Sequence, residues 1–66
     1  MKVIINGENR NIDEDITVLN LLKELGIEEK TMAAAINMEV VKKENWENTK
    51  ISEGDKIEFL HFVGGG

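Results

Sequence analysis

The chain reads as an α+β domain: a mixed sheet of four to five strands with one main helix across one face, in the order ββαβββ. Three observations predict it. Short apolar stretches near both ends have strand character, and one central stretch repeats with the period of a helix. The third is length, since 66 residues leave room for a single layer of each kind. A chain this short buries only about 60% of the surface its unfolded form exposes, so it holds one thin core and no second lobe.

The first strand falls within residues 1–5, where Met1, Val3 and Ile5 share one side and Lys2 takes the other. Asn6 and Gly7 follow, a pair favoured where both central residues of a hairpin turn need positive φ. The chain then returns over residues 8–12. Asp13, Glu14 and Asp15 form an acidic turn, and Thr17 stands where a helix N-cap belongs. Val18, Leu21, Leu22 and Leu25 recur at i, i+3, i+4 and i+7, which predicts a helix over Val18–Leu25. Gly26 suits the left-handed position that ends such a helix, and Ile27 is placed for the hydrophobic contact that goes with it. Lys23 in the last turn complements the negative end of the helix dipole.

Residues 32–41 are apolar around a break at Asn37, Met38 and Glu39. Propensity alone lets Ala33 to Ile36 continue as helix. The break leaves pieces of strand length, and two short strands are the preferred reading. Residues 42–50 are polar and hold the only tryptophan, Trp46, expected to cap the thin core. Glu53, Gly54 and Asp55 make a turn, residues 56–63 a final strand, and Gly64, Gly65 and Gly66 follow. The absence of proline, repeats and low-complexity sequence argues for one domain over residues 1–63 with a flexible glycine tail at 64–66.

With the first and last strands parallel at the centre of the sheet, Val3, Ile5, Ile57 and Phe59 face the helix stripe. Ile4, Leu60 and Phe62 then point to the other face, which one sheet and one helix leave in water. Contiguous exposed apolar residues of that kind mark a binding surface, unless the strand is bulged or a dimer covers the face.

Composition narrows the function. The chain has no cysteine, which excludes a disulfide framework, a thiolate zinc site and a cysteine-held iron–sulfur cluster. His61 is the single histidine, so no metal site is expected, and it should lie on the sheet near the root of the tail. The acidic runs at Asp13 to Asp15 and at Glu28 and Glu29, and the pair Lys42 and Lys43, read as solvated turns and loop. Thirteen Asp and Glu against eight Lys and Arg give a net charge of −5, which disfavours nucleic acid as a partner. No apolar run approaches the roughly 18 residues of a membrane span and no signal-peptide core follows the start, so a cytoplasmic protein without a membrane partner is expected. Walls for a ligand pocket of about 300 Å³ or more are scarce in so short a chain. No nucleophile–base constellation assembles either, and a catalyst is the weakest class.

Three segments share one resemblance. The tail reads Phe62, Val63, Gly64, Gly65, Gly66; the turn before it Glu53, Gly54, Asp55, Lys56, Ile57, Glu58; the middle Ala35, Ile36, Asn37, Met38, Glu39, Val40, Val41, with Trp46 beyond. Together they resemble the small sulfur-carrier proteins of thiamine biosynthesis, the ThiS family, over essentially the whole chain. The fold this implies is the β-grasp of the ubiquitin-like superfamily. The resemblance further implies that the carboxylate of Gly66 is adenylated by an E1-like activating enzyme. A sulfur donor then displaces AMP, and the resulting thiocarboxylate serves thiazole synthase. ATP and Mg²⁺ are used by the activating partner and no cofactor is bound here. Gly64 and Gly65 form the thread that enters the partner, Ile4, Leu60 and Phe62 the docking face, and the free protein is expected to be a monomer.

A Gly-Gly ending is also shared with ubiquitin-like modifiers and with the small subunit of molybdopterin synthase. A modifier or interaction module, or the sulfur carrier of molybdopterin synthesis, is therefore the alternative. Members of the family commonly carry Gly where this chain has Met38. Positive φ is costly for methionine, so either the turn differs here or Asn37 takes the left-handed position.

Overall fold

A computed structural model describes residues 1–61 of the chain. Strand β1 (Lys2–Ile5) turns at Asn6 and Gly7, with φ of 47° and 84°, into the antiparallel β2 (Glu8–Asn11). Helix α1 (Val18–Leu25) follows, then a 3₁₀ turn at Glu28–Lys30 that takes in the acidic pair Glu28 and Glu29. Strands β3 (Thr31–Ile36) and β4 (Glu39–Val41) form a second hairpin, confirming strands over helix for this apolar run. A long loop with a 3₁₀ turn at Lys43–Asn45 leads to β5 (Lys56–His61). The five strands make one mixed sheet in the order β2-β1-β5-β3-β4, and only β1 and β5 pair in parallel. This is the expected α+β architecture. The expected tail at 64–66 and the end of the last strand beyond His61 lie outside the described residues.

The helix ends follow from local chemistry. Thr17 Oγ1 accepts the Asn20 N–H at 3.2 Å, the predicted cap. Two further amides of the first turn are satisfied from the long loop, where Val18 N–H donates to Thr49 O and Leu19 N–H to Trp46 O. At the other end Gly26 takes φ 70°. Its N–H donates to Lys23 O while Ile27 N–H donates to Leu22 O, the paired closure of a Schellman motif.

The core lies between α1 and one face of the sheet. Val18, Leu21 and Leu22 from the helix meet Val3, Ile5, Ala34, Ile57 and Phe59 from the strands, all buried. Trp46 closes the edge of this core with 2% of its surface exposed, its Nε1–H donating to Val41 O at 3.0 Å. The buried ring therefore leaves no unpaired indole donor, and a loop residue becomes core.

The β3–β4 turn resolves the choice left at Met38. Both Asn37 and Met38 adopt positive φ, 51° and 72°, as the turn type matching the twist of paired strands demands. Asn37 is held from three sides: its N–H donates to Lys56 O, its Nδ2 to Asp55 Oδ1, and its Oδ1 accepts Lys56 N–H. Glu39, expected in the turn, already belongs to β4.

Candidate functional site

Along β5 the side chains alternate. Ile57 and Phe59 enter the core, while Lys56, Glu58 and Leu60 emerge on the sheet face opposite α1. Leu60 is 62% exposed. It pairs with Ala33, next to a register shift in β3 that places Met32 in a bulge, also exposed. Val40 on the neighbouring β4 sits opposite Ala35, itself opposite Glu58, and is 75% exposed. Leucine and valine thus stand above a floor of small alanines, beside a shallow depression of about 210 Å³ that Asn6, Ala33, Ala35, Glu58 and Leu60 line in part.

Ile4 shares that face and is half-buried, but its partner across the parallel pair is Lys56. Leu60 lies four residues farther along β5, roughly 13 Å at the usual rise per residue. Ile4 and Leu60 therefore share a face without touching, with Lys56 and Glu58 between them. Phe62, the third residue expected here, and the tail glycines Gly64, Gly65 and Gly66 fall outside the described residues. Met32 and Val40 were not singled out from the sequence. A bulge has no signature in a run of alanines, and Val40 stands in sequence beside Val41, a second valine that packs partly against the core.

The end of β5 is held on both sides. Toward β3, His61 pairs with Thr31, whose hydroxyl donates to Ile27 O at 2.8 Å. His61 is half-buried and its Nε2 is enclosed without a hydrogen-bond partner. Toward β1 the ladder ends at Ile5 and Ile57. Beyond that point Asn6 N–H donates to Ile57 O at 2.9 Å, and Asn6 Oδ1 accepts the Phe59 N–H at 2.8 Å.

Enclosed reaction space is scarce. Among the described residues a hollow of about 470 Å³ beside Lys2, Asn9, Arg10 and Asn11 exceeds the volume anticipated from chain length, yet it is an open dish on a polar edge strand with no carboxylate or histidine in its lining. Among the described residues no three His, Cys, Asp or Glu side chains gather as metal ligands, and no helix is long and apolar enough to cross a membrane.

Comparison with known proteins gives a consistent picture. The model of the ThiS family matches residues 3–66. A thiazole synthase of Paramagnetospirillum magneticum is 42% identical over 66 residues, all of this chain and 20% of that protein. The chain thus spans about a fifth of the length of the thiazole synthases it matches. The sulfur carrier protein ThiS of Bacillus subtilis is 33% identical over 63 residues, which cover 94% of this chain and 96% of that one. Among solved structures, the crystal structure of a thiamine biosynthesis protein (ThiS) from Geobacter metallireducens superposes with a TM-score of 0.83 at 34% identity, over the full length of both chains.

Proposed function

We propose, for a chain that belongs to the ThiS family, that it is a sulfur carrier protein of thiamine biosynthesis and acts as a co-substrate, not as a catalyst. The observation that carries this reading is the family match itself, which runs through Gly64 and Gly65 to Gly66. The folded body supplies recognition and the glycines supply an acyl group unhindered by any Cβ.

Chemistry at Gly66 proceeds in two exchanges. A carboxylate oxygen attacks the α-phosphorus of ATP held by an E1-like enzyme, pyrophosphate leaves, and an acyl-adenylate remains. Sulfur supplied by the donor at the level of hydrosulfide then attacks the acyl carbon, AMP leaves and one proton is released, so that the net change at the terminus is one oxygen replaced by one sulfur. Phosphoryl-group electrostatics and Mg²⁺ come from the activating partner. The thiocarboxylate is a soft anionic nucleophile suited to thiazole formation. The match to part of the length of thiazole synthases supports such an enzyme as its recipient.

Intact-mass measurement tests the reading directly. After incubation with ATP, the activating enzyme and a sulfur donor, the protein should carry one sulfur in place of one terminal oxygen. Deleting Gly66, or adding one Ala after it, should leave folding unchanged and suppress adenylation by about 10²-fold or more, because the reacting carbon misses its attack position. A sulfur-free terminus with active partners, or an isopeptide bond to a lysine, refutes the assignment.

A further inference from the structure

The parallel pairing of β1 with β5 stops at Ile57, because β1 ends at Ile5 and its chain turns away through Asn6 and Gly7. By the alternation of backbone groups, the amide of Phe59 faces the side that β1 has vacated. A side chain takes the place of the missing strand: Asn6 Oδ1 accepts Phe59 N–H at 2.8 Å, 53 residues away in sequence. The Asn6 backbone N–H, donating to Ile57 O, fixes the same residue one rung earlier. A turn residue thereby supplies one more rung of ladder to the strand from which the chain runs on toward Gly66.

We propose that Asn6 is a positioning residue for the reaction at Gly66, its carboxamide supplying the last rung on the β1 side of β5 while β3 holds the other side as far as His61, and so steadying the strand from which the chain sets out toward the activating site. The proposal rests on the carrier function above. Turn geometry alone does not explain the residue, since glycine meets the requirement for positive φ at least as well. Only an oxygen-bearing side chain of this length meets Phe59. Asn6→Gly keeps the turn and removes the acceptor, whereas Asn6→Asp keeps an acceptor oxygen at the same reach.

Two measurements test it. In the unmodified protein the Phe59 amide should exchange with deuterium at least about a hundredfold slower than in an unfolded chain, and Asn6→Gly should speed that exchange about tenfold while Leu22 is unaffected. With the activating enzyme, Asn6→Gly should lower the adenylation rate at saturating carrier about tenfold while binding changes by less than about twofold, a split that general destabilisation does not produce. Asn6→Asp should restore most of the rate. An unprotected Phe59 amide in the unmodified protein overturns the proposal even if Asn6→Gly fails to fold. An unchanged rate for Asn6→Gly, or a loss that appears wholly in binding, overturns it as well. Failure of the unmodified protein to be adenylated would instead strike the carrier function on which the proposal rests.

Discussion

Met38 holds φ 72° with 85% of its surface exposed, so it bears the cost of a left-handed backbone without packing to offset it. That cost is roughly 1–2 kcal/mol for an L-residue. Met38→Gly should therefore stabilise the protein by about 1 kcal/mol after allowing for the freer unfolded chain, read as a higher denaturation midpoint at unchanged slope. Asn37 behaves differently although its φ is similar. Its side chain and backbone make three hydrogen bonds to Asp55 and Lys56, tying the β3–β4 turn to the start of β5. Asn37→Gly keeps the backbone conformation but gives up both side-chain bonds, and should destabilise by about 1–2 kcal/mol in the same assay.

The elements owe their stability to one shared interface, since an isolated helix as short as α1 is marginal in water. Leu22 and Ile57 are both fully buried on opposite sides of it. Leu22→Ala and Ile57→Ala should each cost about 2–5 kcal/mol, checked by chemical denaturation, a large share of what so small a domain has. The helix and the central parallel pair were legible in the sequence for a physical reason: the leucine stripe, Thr17 and Gly26 act locally, and strand alternation is a local pattern. The burial of Trp46 was legible too, from the shortage of core in a short chain. What escaped the sequence depends on backbone groups meeting across long separations. The carbonyls of Trp46 and Thr49 completing the helix N-terminus, the bulge at Met32, and Asn6 reaching Phe59 have no residue pattern of their own. The candidate docking face was legible as an alternation at Leu60. Its width was not, because Val40 joins it only through strand pairing.

At the scale of the whole molecule the two sheet faces differ, one covered by α1 and the other carrying Leu60 and Val40 in solvent. Leu60→Ala should leave stability within about 0.5 kcal/mol of the parent. If the proposed carrier docks through this face, the same substitution should weaken binding of an E1-like activating enzyme by more than about 1 kcal/mol, as truncation of an interface anchor does, measured by calorimetric titration. Phe62→Ala is expected to act in the same direction. Loss of fold in place of binding would place these residues in the core. The division of faces also has an optical consequence. The only indole of the chain, that of Trp46, is sealed on the helix side of the sheet, away from Leu60 and Val40. Its emission is thus a built-in gauge of the folded state, red-shifting when the core opens and staying still while a partner settles on the far face. One fluorescence trace taken during a titration separates a variant that no longer docks from one that no longer folds.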